Sequence, residues 1–155
     1  MKMKRFLCAL LVCAVAISFL PTPAKATEAA DMEVIRLENL EWEWVNLNAV
    51  EHWEADIALQ TTNSINRAVF EHSIGSVVPS RIFEAGNVIT FNCSYSPSSA
   101  SMDFGVIDST GRFYFINVKG GSICQTIQIS QRNSYTVAIR NNSSQTVRVV
   151  GFVEY

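Results

Sequence analysis

The sequence predicts an all-β fold: an antiparallel β-sandwich of jelly-roll type with about eight strands, following a cleaved signal peptide. Three observations carry this. Apolar residues alternate with period two in run after run from residue 57 onward. Turn residues divide those runs at spacings near ten residues. No long helical period occurs in the same region.

The runs can be taken in order. Ile65 to His72 and Val77 to Glu84 read as two strands, and Ala85-Gly86-Asn87 turns the chain. From Asn87 to Tyr95, Ile89, Phe91, Cys93 and Tyr95 fall on one face. From Ser101 to Asp108, Met102, Phe104 and Val106 share a face, with Asp103 outward. Asp108-Ser109-Thr110-Gly111 is a tight turn: Asp suits its first position and Gly its last. Arg112 to Lys119 returns as an aromatic strand, and Gly120-Gly121 ends it. Ser122 to Ser130 follows, with Ile123, Ile127 and Ile129 inward. Tyr135, Val137 and Ile139 share a face of the next strand. After the polar turn Asn141 to Gln145, Val147 and Val149 lead the last strand.

The N-terminus is of another kind. Lys2, Lys4 and Arg5 precede an apolar run from Phe6 to Leu20, and Ala24-Lys25-Ala26 offers a small-x-small site. That order is a secretory signal over residues 1–26. The apolar run is shorter than the roughly 20 residues of a membrane span. The expected location is therefore secreted or envelope-associated, with no membrane contact after cleavage. Residues 27–155 retain eight basic and fourteen acidic residues, a net charge of −6. Nine of the acids lie in residues 27–56, beside Arg36 alone. An acidic leader argues against nucleic acid and against anionic membrane surfaces. The division expected is a signal peptide (1–26), an acidic tryptophan-bearing segment (27–56) and a β-sandwich domain (57–155).

The acidic segment holds all three tryptophans, in LEWEWVNLNAVEHW. If residues 40–45 are extended, Trp42 and Trp44 share one face and Glu41 and Glu43 the other. The indoles then either pack on the sandwich and cover a sheet edge, or stand exposed as a binding surface for a sugar or a partner's pocket. Val34, Leu37, Leu40 and Trp44 also fit a helical spacing, with Asp31 as N-cap. Tyr114 is a second exposed-aromatic candidate.

Two cysteines follow the signal, Cys93 and Cys124. In an oxidising compartment a bridge between them is open. It would close a loop of about 30 residues and contribute roughly 3–4 kcal/mol. Alternation places the two on opposite faces, so pairing would need a bulge or a strand-end effect.

Catalytic constellations are not legible. There is no G-x-S-x-G elbow, and His52 and His72 precede the regular β body. Glu51, His52, Glu54 and Asp56 lack the spacing of a metal site and read as a solvated acidic stretch. Glu41 and Glu43 would lie about 7 Å apart on one strand face, a glycosidase-like separation without material for a cleft. No catalytic residue, metal or cofactor is expected.

Arg81 to Tyr155 resembles a group of small, uncharacterised exported β-sandwich proteins of Gram-positive bacteria. The likeness is carried by SYSPSSASMDFGVIDSTGRFYFINVKGGSI (Ser94–Ile123), by Tyr135 and by RNNSSQTVRVVGFVEY (Arg140–Tyr155). A weaker likeness is to the bacterial pre-peptidase C-terminal domain, through Ala85-Gly86, Met102–Asp108 and Asn133-Ser134-Tyr135, with Asn133 where that motif has glycine. Both resemblances imply a noncatalytic accessory or binding module. The expected function is an interaction module for an extracellular protein or carbohydrate, with Trp42, Trp44 and Tyr114 as binding residues. The alternative is a self-associating structural component of a matrix or surface; the sequence leaves the oligomeric state open.

Overall fold

The computed structural model describes residues 33–53 and 62–155. The segment expected to be a signal (1–26), Asp31 and the expected 56/57 boundary lie outside them. The described strands, numbered in chain order, are β1 (Val34–Arg36), β2 (Glu41–Trp44), β3 (Val50–His52), β4 (Thr62–Val69), β5 (Ile74–Phe83), β6 (Val88–Ser96), β7 (Met102–Asp108), β8 (Arg112–Val118), β9 (Ser122–Gln128), β10 (Asn133–Asn141) and β11 (Val147–Glu154).

Two sheets form, ordered β1-β9-β6-β11-β4 and β2-β8-β7-β10-β5-β3. The strands from Thr62 onward are the eight that the alternation predicts. They pair antiparallel throughout, and consecutive strands from β4 to β7 change sheets at each step. The orders β9-β6-β11-β4 and β8-β7-β10-β5 are those of a jelly roll, two nested Greek keys closed over one core.

The facing sides of the sheets carry the alternating apolar residues. Phe91 from one sheet meets Phe104 from the other edge to face, ring centroids 5.7 Å apart, an arrangement worth about 0.5–1.5 kcal/mol beyond area burial. Ile89, Val106, Ile127, Tyr135, Val137, Val149 and Val153 fill the same interior. The Asp108–Gly111 turn forms as expected: the Gly111 N–H donates to the Asp108 carbonyl at 3.0 Å. Gly111 has φ +94°, a conformation that glycine adopts without steric cost.

The acidic segment is part of the fold. Residues 33–53 belong to the same compact unit as the jelly roll and contribute only edge strands. β1 lies parallel to β9, β2 antiparallel to β8, and β3 parallel to β5. The helical reading of Val34, Leu37, Leu40 and Trp44 is therefore corrected. Between Val34 and Trp44 one 3-10 turn, Leu37–Asn39, interrupts extended chain, and a second, Leu47–Ala49, precedes β3; the open edge of β8 offers β2 main-chain partners that hold it extended. The segment docks through Leu37, 3% exposed and part of the main core, and through Val50. Val50 joins a second apolar cluster with Ile74, Ile107, Phe113 and Ala138, covered in part by Val45 and Phe115. This cluster lies on the outer face of the six-stranded sheet.

The cysteines, whose pairing the sequence left open, are free. Cys93 faces inward and donates to the Phe152 carbonyl at 3.6 Å. Cys124 is the partner of Asn92 across the β6–β9 ladder and points out of the sandwich. The strands run regularly here, so no bulge brings the two sulfurs to one face. Burial, opposed by hydrogen bonding with the main chain at Phe152 and Asn92, pushes the Cys93 thiol up to about 11. Ellman titration of protein lacking residues 1–26 is expected to count one thiol per chain in the native state, Cys124, and both only in denaturant. Two fast thiols would contradict the inward placement of Cys93.

Candidate functional site

The β2 strand adds four residues, EWEW, to the edge of β8. Register pairs Glu41 with Phe115, Trp42 with Tyr114, Glu43 with Phe113 and Trp44 with Arg112. The alternation thus separates the carboxylates from the indoles. Glu41 and Glu43 share the outer face with Phe113 and Phe115. Trp42 and Trp44 stand on the opposite side with Tyr114 and Arg112, at the open end of the interlayer space.

On that side the aromatic groups gather. Trp42 and Trp44 meet edge to face at 5.9 Å, and Trp42 is tilted against Tyr114 at 6.5 Å. The Arg112 guanidinium lies over both Trp42 (5.8 Å) and Tyr114 (5.6 Å), a contact that favours a cation on a ring face. Trp42 remains 49% and Trp44 64% exposed. The packing role expected for the indoles is kept by Trp53, which lies against the main core, and passes from Trp42 and Trp44 to Leu37 and Val50. Tyr114, expected as an exposed aromatic, is instead 8% exposed and forms the floor beneath Trp42. It faces inward with the core, and β2 covers its edge.

Asp108 fixes the cation. Its Oδ2 accepts from Arg112 Nε at 2.9 Å; its Oδ1 accepts from the Thr110 N–H (2.8 Å), the Thr110 hydroxyl (2.6 Å) and the Arg112 N–H (3.0 Å). Burial pushes this carboxyl up, but the donors from Thr110 and Arg112 outweigh it and hold it below the usual range. Burial raises the Tyr114 phenol; Arg112 opposes that rise and Asp108 reinforces it. The sequence assigns Asp108 to the turn alone. Its second role, orienting Arg112 over the Trp42 and Tyr114 rings, needs the fold to be seen.

The depressed Asp108 carboxyl has a stability consequence. Stability from a carboxylate whose folded value lies below its unfolded value is present above the unfolded value and lost as pH falls through the folded one. Asp108→Asn is expected to lower stability by about 1–2 kcal/mol at pH 7. Relative to wild type, the deficit should shrink as pH drops below 3.8. Urea unfolding at pH 7 and pH 3 checks this; a deficit that does not shrink at pH 3 contradicts the assignment.

A second polar cluster lies on the outer face of the same sheet. Asp103 is fully buried there. It accepts from Asn117 Nδ2 (2.6 Å), Arg140 Nε (2.9 Å) and Asn142 Nδ2 (2.8 Å). Arg140 also pairs with Glu43 of β2 and lies over the Phe113 and Phe115 rings at 5.3 and 5.0 Å. Burial works against both charges, pushing the Asp103 carboxyl up and the Arg140 guanidinium down. The outward direction of Asp103 agrees with the sequence; its burial was not legible there. The cluster clasps β2 to the sheet and thereby fixes where the indoles stand.

The remaining candidates separate. Glu51 and His52 lie on β3, at the far edge of the sheet from Trp42, while Glu54 and Asp56 lie outside the described residues. A shallow depression of about 460 Å³ sits on the outer face of the five-stranded sheet, lined by Cys124, Phe152 and Val150 among others. Comparison with protein-family models, with curated proteins and with solved structures gives no match.

Proposed function

We propose that the protein is a secreted or envelope-associated, noncatalytic interaction module that binds an extracellular protein or glycan through Trp42 and Trp44, with Tyr114 and Arg112 supporting them. The observation that carries this reading is the exposure of two adjacent indoles on a strand that is itself held rigidly. Exposing such area to water costs about 25 cal/mol for each Å² that could be buried, and here Leu37 and Val50 already dock the segment. Indoles so presented are typical anchors of recognition, because they bury much area at little cost in rotamer entropy. The signal segment supports an extracellular setting.

The test is a glycan-array screen and a binding assay on cell-wall preparations, with protein lacking residues 1–26 and with the Trp42→Ala/Trp44→Ala variant. Expected is binding that falls at least tenfold in the variant, about 1.4 kcal/mol, with an unchanged melting temperature. No binding, or binding that the variant retains, would overturn the reading. Turnover of any bound ligand by the pure protein would overturn its noncatalytic part.

A further inference from the structure

The direction of the main chain in β2 extends this reading, and the inference rests on it. The Val45 N–H donates to the Gly111 carbonyl at 2.9 Å. In an antiparallel ladder, residues alternate between turning their main-chain groups to one neighbour and to the other. Val45, Glu43 and Glu41 therefore turn theirs toward β8. The N–H and C=O groups of Trp42 and Trp44 turn the opposite way, to the free edge, where no described strand pairs with them. The free edge thus combines two main-chain donor–acceptor pairs, two indoles on one side and two carboxylates on the other.

We propose that this edge takes up an extended polypeptide strand with alternating cationic and apolar residues, adding a seventh strand to the six-stranded sheet. An added strand hydrogen-bonds with the outward groups of Trp42 and Trp44 and is read through its side chains. Its residues beside the indoles are apolar. On the other face, where Glu43 is already held by Arg140, the residue next to Glu41 is Lys or Arg, since opposite charges across a ladder stabilise it. Glu41 is exposed and, among the described residues, has no ion-pair partner.

The same charges argue against a second copy as occupant. Two β2 strands paired about a two-fold axis would keep their glutamates on one face. With Trp42 opposite Trp42, Glu41 of each copy faces Glu43 of the other; with Trp42 opposite Trp44, Glu43 faces Glu43; either register sets like charges directly opposite, Cβ atoms about 5 Å apart, which destabilises the pair. The edge is protected from itself and open to a strand of opposite charge. The long edge β4 lacks this combination: its exposed residues are Thr62, Ser64, Asn66, Arg67 and Ala68, without an aromatic anchor.

The probe is the heptapeptide acetyl-Thr-Lys-Val-Lys-Val-Lys-Thr-amide, titrated into ¹⁵N-labelled protein lacking residues 1–26. Three controls accompany it: the same peptide with Glu for Lys, the peptide with its valine amides N-methylated, and the protein with Glu41→Gln. Expected is saturable binding that shifts the main-chain amides of Trp42 and Trp44. The Glu peptide and the N-methylated peptide should bind at least tenfold more weakly, and Glu41→Gln should weaken binding several-fold. Equal binding of the Lys and Glu peptides, or of the methylated one, overturns the inference. If glycans bind through the indoles and no peptide does, the strand inference falls and the proposed function stands. If neither binds, both fall. Concentration-dependent dimerisation that perturbs the Trp42 and Trp44 amides would assign the edge to a second copy and also overturn the inference.

Discussion

Replacing Arg140 by Met is expected to cost the protein about 3–5 kcal/mol, the range for removing one partner of a buried ion pair. Met retains most of the aliphatic volume over the Phe113 and Phe115 rings, so the loss is chiefly one of charge. Asp103, fully buried, would keep its carboxylate with only Asn117 and Asn142 as donors. Glu43 would lose its hold on the sheet. The deficit has a pH signature. Burial already raises the Asp103 carboxyl above 3.8, and removing the guanidinium raises it further. A carboxyl raised in the folded state binds its proton more tightly there than when unfolded. The variant therefore regains stability relative to wild type as pH falls through that raised value. Adding Asp103→Leu to Arg140→Met should restore much of the loss, because an apolar pair can replace a buried ionic one. Urea unfolding of the single and double variants measures both effects. A single variant within 1 kcal/mol of wild type would show that the pair does not hold the sheet.

Gly105→Ala is expected to be costly for a different reason, by about 3 kcal/mol, the upper end for overpacking. Gly105 lies on the outer face between Asp103 and Ile107, opposite Phe115 in the ladder. A Cβ there would land on the Tyr114 carbonyl and against the Phe115 main chain. These are backbone atoms that cannot rotate away, so β7 and β8 must separate. Because Tyr114 underlies Trp42, the variant should also disturb the aromatic surface and lower the melting temperature. An unperturbed melting curve would contradict the close approach of these strands.

How much of this was legible in the sequence differs by region. The eight strands of the jelly roll were readable because each turns a row of alternate apolar residues to the space between the sheets; β7 is buried on both faces, and it was Asp103 and Gly105 between Met102, Phe104 and Val106 that made its alternation visible. Leu40 to Trp53 was not readable. EWEW alternates, but its alternation cannot tell which face meets protein, since β2 covers β8 at an edge where neither side is fully enclosed. The burial of Tyr114 likewise depends on a strand distant in sequence. Asp103 shows the same limit: its parity gave the outward direction, but its burial comes from Arg140, 37 residues away. The cysteines were the reverse case. Their opposite parity, read from the strands alone, is what keeps them apart.

Trp42 and Trp44 are expected to anchor the contact with a partner. Trp53, at the opposite edge of the same sheet beside β3, provides an internal control. The three indole N–H resonances of ¹⁵N-labelled protein should be followed while the tightest binder from the screens is added. The signals of Trp42 and Trp44 are expected to shift and saturate together, with Trp53 unmoved. A shift of the Trp53 indole alone, or of the main-chain amides around Cys124 and Phe152 alone, would contradict this assignment.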